Sequence, residues 1–185
     1  MTVRSKLVRY VSIFCVSVAG VKDMASSDSS TDHAIIINNI QNNGDSNSSV
    51  KFEKREGAEK DDENLRFVFV DKLGFHLLNG TDVSEELRRS LTLKQWKCGP
   101  ERSKQCKKCI QCLITFSEME NCKSFLFALS SHGVTKDDGL HIQFIDGFVP
   151  LHEIISFLKD CNCLKGKTVI LVVEACRSGV GTQGR

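Results

Sequence analysis

Hydrophobic residues along this chain gather in short blocks whose internal spacing changes from one block to the next. Ala34-Ile35-Ile36-Ile37-Asn38 is an almost unbroken, β-branched run, the mark of a strand buried on both faces. Phe125 to Leu129 and Thr168 to Val173 read the same way. From Asp61 to Leu73 the period becomes helical: Leu65, Val68, Phe69 and Leu73 recur on one side, acids fill the first turn, and Gly74 stops it. Phe75-His76-Leu77-Leu78 predicts a further strand, ended by Asn79-Gly80. Ser84 with Leu87 and Leu91 starts a helix that Gly99-Pro100 must end at the latest. Leu140 to Val149 alternates around Asp146-Gly147, a hairpin signal. Pro150 then opens a helix with an Ile154, Ile155, Leu158 stripe running to Lys159. Asn42 to Ser49 reads as a loop and Ser26 to Asp32 as a linker.

Strands alternating with helices predict an α/β fold with a mostly parallel sheet covered on both faces, a three-layer αβα sandwich. Chemistry on such sheets gathers at the carboxyl ends of the strands. His132 and Cys176 each stand just past the end of a predicted strand. A thiolate is a good nucleophile near neutral pH, and an imidazole can take its proton and later deliver it to a leaving amine. Two strand ends that bring such a pair together can cleave amides.

Composition narrows the setting. The 185 residues suit one domain, and 25 basic against 23 acidic side chains leave no polybasic footprint for nucleic acid. The longest largely apolar stretch, Tyr10 to Val21, is too short to span a membrane. It follows Arg4, Lys6 and Arg9, so residues 1–32 read as a leader and flexible linker; a secretory signal with small residues Ser17 and Ala19 is the other reading. Nine cysteines cannot all pair within one chain, so at least one thiol is left over.

Glu174-Ala175-Cys176-Arg177-Ser178 resembles the Gln-Ala-Cys-Arg-Gly signature of caspases, whose His lies some tens of residues upstream, as His132 does here. Ile35-Ile36-Ile37-Asn38-Asn39 is similar to the family's first core strand, and Arg55-Glu56-Gly57-Ala58-Glu59-Lys60-Asp61 to its Arg-x-Gly-Thr-x-x-Asp segment. Lys72-Leu73-Gly74-Phe75 resembles the turn after the first helix, and Ser131-His132-Gly133 the catalytic His loop. The likeness covers residues 33–179 and only the large catalytic subunit. It implies a cysteine endopeptidase that cuts proteins after Asp in apoptosis or related signalling, in the cytoplasm, without a cofactor or metal. It also implies roles: Cys176 as nucleophile, His132 as acid/base, the backbone N–H of Gly133 with that of Cys176 as oxyanion donors, and Arg55 as the partner of the substrate's Asp.

Three departures stand beside the likeness. Glu174 occupies the place of the family's Gln, next to the pocket for the substrate carboxylate. An acid there resembles metacaspases and paracaspases, which cut after Arg or Lys, so Arg55 and Glu174 point to opposite specificities. Residues 93–122 form a Cys-rich insertion with Cys98, Cys106, Cys109, Cys112 and Cys122. Cys-x-x-Cys spacing suits zinc; with a single close cluster and no second, the expectation is an irregular insertion with reduced thiols and no metal. Nothing after Cys176 resembles the family's small subunit, and residues 180–185 read as a truncated tail. The strand at Thr168 to Val173 is therefore expected at an open sheet edge that needs a small-subunit segment or a second caspase-like chain. A catalytically inactive interaction protein is the alternative.

Overall fold

The computed structural model describes residues 9–17, 31–41, 52–78, 88–98, 106, 109–117, 119 and 121–179, with backbone alone for 9–17 and 176–179. The sheet is built from β1 (Arg9–Ser17), β2 (His33–Asn38), β3 (His76–Leu77), β4 (Ser124–Lys136), β5 (Gly139–Phe144), β6 (Gly147–Pro150) and β7 (Thr168–Gly179). Its order is β1-β7-β4-β2-β3, with β5 and β6 as a hairpin on the far end of β4. β3, β2, β4 and β7 run parallel, and β1 and the hairpin run antiparallel to their neighbours.

The apolar runs form central strands because both of their faces are covered. Ile35, Ile37, Phe125, Phe127, Leu129, Val169, Leu171 and Val173 enter one core cluster; the alternate residues Ala34, Ile36, Leu126, Ala128 and Val172 enter another. Period-two alternation in a strand sends neighbours to opposite faces, so each run needs two covering layers. One layer is α1 (Ala58–Arg66), which widens into π-helical turns over Phe67–Lys72 and ends at Gly74, whose φ is 73°. The other holds α2 (Leu93–Trp96), α3 (Ile110–Phe116) and α4 (Leu151–Asp160). The three-layer α/β sandwich is as expected.

Two expectations change. The β7 edge is not open: β1 pairs with it antiparallel, from Arg9 opposite Cys176 to Ser17 opposite Thr168. Part of the expected leader is thus a sheet strand, because an apolar run can satisfy its backbone on the free N–H and C=O row of β7. Residues 93–122 are also more than an irregular insertion. Trp96, Ile110 and Ile114 are buried in the core, and the Trp96 ring stands 5.8 Å from Phe127, 6.0 Å from Phe144 and 5.7 Å from Phe157. A capping box between Thr92 and Gln95 starts α2. Of the helix expected from Ser84 through Leu91, residues 84–87 lie outside the described residues, and residues 88–89 are helical before the helix breaks at 90–92 ahead of α2. The Asn42 to Ser49 loop and the 180–185 tail also lie outside the described residues. Among the described residues, no helix is long and apolar enough to cross a membrane.

Candidate active site

The apolar runs of β2, β4 and β7 give way at their carboxyl ends to polar residues, and the strand register lines these up in rows. Asn38 is opposite Ser130, and Ser130 is opposite Glu174. Two positions further along, His132 is opposite Cys176 on adjacent parallel strands. Neighbouring strands lie about 4.8 Å apart, so the register alone makes the imidazole-bearing and thiol-bearing residues immediate neighbours. The side chain of Cys176 is outside the described part.

His132 is held in a defined tautomer. Its Nε2 lies 2.8 Å from the carbonyl oxygen of Glu53, and the ring of buried Phe52 packs against it at 5.0 Å. A carbonyl can only accept, so Nε2 carries the proton and donates it, which leaves the lone pair on Nδ1. A neutral imidazole in this tautomer offers Nδ1 as its basic nitrogen.

Arg55 is buried on the polar row beside this pair. Nη1 donates to Asn38 Oδ1 at 2.7 Å and to the Asn39 carbonyl at 3.1 Å, and Nη2 donates to Ser130 Oγ at 2.7 Å. The Ser130 hydroxyl in turn donates to Glu174 Oε2 at 3.0 Å. Asp61 adds a carboxylate oxygen 3.8 Å from Nη2. The backbone helps to fix this arm: Arg55 N–H bonds the Ile40 carbonyl and Asn39 N–H bonds the Ser130 carbonyl, both at 2.9 Å. A buried guanidinium is stable only with such partners. Arg55 and Glu174, which point to opposite specificities when read singly, are two ends of one hydrogen-bonded chain.

Gly133 is buried within β4, opposite Arg177 on β7 and Ile142 on β5. The fold therefore brings His132, Gly133, Arg55 and Glu174 to one end of the sheet, beside the backbone of Cys176. Asn38, Ser130, Phe52 and the Glu53 carbonyl were not singled out from sequence. The first two carried a usable signal, since each is the polar residue that ends an apolar strand. The last two did not, since a loop's docking onto a ring is not encoded by spacing.

The remaining cysteines separate into groups. Cys98, Cys106, Cys109 and Cys112 gather where α2 ends and α3 begins. Cys122 is apart from them, its thiol donating to the Ser124 carbonyl at 2.9 Å. Cys161 and Cys163 pair at 3.0 Å, and Cys163 reaches the Ile114 carbonyl, also at 3.0 Å.

Comparison with known proteins agrees with this arrangement. A family model described as the caspase domain matches residues 31–185. No curated relative matches the chain. Among solved structures, that of the Drosophila initiator caspase Dronc superposes with a TM-score of 0.52 at 21% identity, covering 89% of this chain and 61% of that one. At that identity the likeness speaks to the fold, and this chain spans somewhat under two thirds of the Drosophila protein's solved length.

Proposed function

The chain belongs to the caspase-domain family of cysteine proteases, and on that premise we propose that it is an endopeptidase cleaving proteins after Asp. The observation that carries this reading is the register of His132 opposite Cys176, with His132 Nε2–H anchored on the Glu53 carbonyl. Nδ1 of His132 takes the proton of the Cys176 thiol, and the thiolate attacks the scissile carbonyl. The tetrahedral oxyanion is met by backbone N–H groups of Gly133 and Cys176. On collapse of the intermediate, the C–N bond breaks and the imidazolium protonates the leaving amine. Water then hydrolyses the thioester with His132 as base.

Substrate choice rests on Arg55, a buried cation whose guanidinium matches a carboxylate in geometry. The partners are protein substrates and a small-subunit segment or second caspase-like chain that completes the cleft. The setting is apoptosis or related proteolytic signalling in the cytoplasm. Arg/Lys specificity is the second reading, favoured by one observation: the Glu174 carboxylate stands on the same row as Arg55, bonded through Ser130.

Aspartyl and arginyl peptide electrophiles separate these readings. Labelling of Cys176 by the aspartyl probe, absent in Cys176→Ala, is the expected result. Preference for the arginyl probe overturns the Asp assignment. No labelling by either, in a chain that still binds caspase-like partners, supports an interaction protein instead.

A further inference from the structure

We propose that Cys98, Cys106, Cys109 and Cys112 form a closed, four-thiolate structural zinc site. All four sulfur atoms lie within 4.8 Å of one another, with Cys98 to Cys106 at 3.4 Å and Cys106 to Cys109 at 3.8 Å. Zinc holds thiolates at about 2.3 Å in a tetrahedron, which places the sulfurs about 3.8 Å apart. No pair of the four thus stands more than about 1 Å beyond the separation that such a tetrahedron requires.

Disulfides, bare packing and an iron–sulfur cluster each fit the four sulfurs less well. A disulfide needs its sulfurs about 2.05 Å apart, and the Cys98–Cys106 and Cys106–Cys109 separations are both far longer. Ordinary packing of reduced thiols has no reason to bring four of them to one point from separated stretches of chain. An iron–sulfur cluster must enclose several atoms between its cysteines and so spreads them more widely than a single ion does. Tetrahedral sulfur around one centre is the preference of zinc.

The local sequence suits the charge that results. Binding breaks four S–H bonds, releases the protons to solvent and forms four Zn–S bonds, leaving the centre with two negative charges in all. From Lys97 to Cys112 the sequence carries Lys97, Arg102, Lys104, Lys107 and Lys108 against the single acid Glu101. The backbone N–H of Cys112 already donates to Cys109 Sγ at 3.3 Å, the kind of outer bond that stabilises a metal-bound thiolate. Cys109 and Cys112 are buried and Cys98 and Cys106 half-buried, so the site is enclosed by protein.

What the ion does follows from where its ligands come from. Cys98 follows α2, anchored by Trp96, and Cys109 and Cys112 flank Ile110 at the start of α3, where Ile110 and Ile114 enter the same core. A metal here ties the two ends of the 99–108 connection together and holds both helices on the sheet. The ion is structural, because four protein ligands leave no position open for substrate.

The full 185-residue chain, produced with added zinc and purified in reductant without chelator, tests this by elemental analysis. The expected result is close to one zinc per chain; Cys106→Ser/Cys109→Ser loses it and Cys161→Ser/Cys163→Ser keeps it. Cobalt(II) put in place of zinc is expected to give thiolate charge-transfer bands and the visible bands of a tetrahedral sulfur set. Iron instead of zinc, far less than one ion per chain, or unchanged zinc in the Cys106→Ser/Cys109→Ser variant overturns the proposal. If that variant fails to fold, the unmodified chain decides: a chelator lowers its melting temperature and zinc restores it, whereas a melting temperature indifferent to both overturns the site. The ligands are separate from His132 and Cys176, so zinc content and peptidase activity are independent readouts.

Discussion

Replacing Glu174 by Gln removes a charge and almost no volume from the row that holds Arg55. Ser130 Oγ accepts from Arg55 Nη2 at 2.7 Å and donates to Glu174 Oε2 at 3.0 Å, so the two charges stand no more than about 6 Å apart. At an effective dielectric of about 20 their attraction is about 3 kcal/mol. Glu174 is half-buried, and screening by solvent brings the working figure to about 1.5 kcal/mol. Gln still accepts the Ser130 proton, so the loss is electrostatic. Two consequences follow with opposite signs. Arg55 loses part of its compensation, and the melting temperature is expected to fall by about 3–6 °C for a chain of this size. The field that Arg55 presents to an incoming carboxylate strengthens, and labelling by an aspartyl peptide electrophile is expected to quicken about tenfold relative to an arginyl one. Thermal denaturation and second-order labelling rates measure the two arms. An unchanged rate ratio together with an unchanged melting temperature refutes the coupling through Ser130; a higher melting temperature reverses its sign.

Trp96→Ala removes the ring that meets Phe127, Phe144 and Phe157; urea denaturation is expected to show a loss of about 3–5 kcal/mol, and a loss under about 1 kcal/mol contradicts its place in the core. The Cys161 thiol is lowered from 9.0 to about 6, chiefly by its hydrogen bond with Cys163 and against the effect of burial. Between about pH 6 and 9 the folded chain therefore binds fewer protons than the unfolded one, and stability rises with pH across that window and is lost as pH falls through 6. Cys163 is raised by its bond to Cys161 and by burial, so its contribution declines above about pH 9, where the unfolded chain ionises this thiol. Melting temperature against pH is expected to lose the rise between pH 6 and 9 in Cys161→Ser; superimposable profiles contradict the assignment. Deleting residues 1–17 uncovers the β7 backbone that β1 pairs with; light scattering is expected to report association, and a monodisperse truncated chain shows that β1 is dispensable.

The strands were legible because each apolar run is short, β-branched or aromatic, and bounded by polar residues. His33–Asn38, Ser124–Lys136 and Thr168–Gly179 all contain the run that announced them. Hairpin β5–β6 was legible from alternation, although its two loop residues are Ile145 and Asp146, with Gly147 already paired to Phe144. That a Cβ at Gly147 would meet the Leu93 side chain, 2.6 Å from Cδ1, was not in the spacing. The N-terminal strand was missed because its basic and apolar order is shared by leaders and edge strands. Trp96 and the α3 apolar residues were passed over because a run of Cys and Lys hid the few core positions within it.

Sequence by itself determined the layer architecture and the candidate dyad. Burial periodicity is a local property, and His132 and Cys176 each follow an apolar run that marks its strand, although both strands continue past them. Tertiary structure decided how the pieces relate. Register, a consequence of hydrogen bonding between strands far apart in the chain, put His132 opposite Cys176 and strung Asn38, Ser130 and Glu174 into the row that engages Arg55. Folding also carried Cys98 to Cys106, Cys109 and Cys112, turning what reads as one close cysteine cluster with an outlier into four sulfurs around a point. Spacing along the chain constrains which residues share a turn or a face, whereas a ligand set or a charge relay depends on distances that only the closed sheet and its covering helices define.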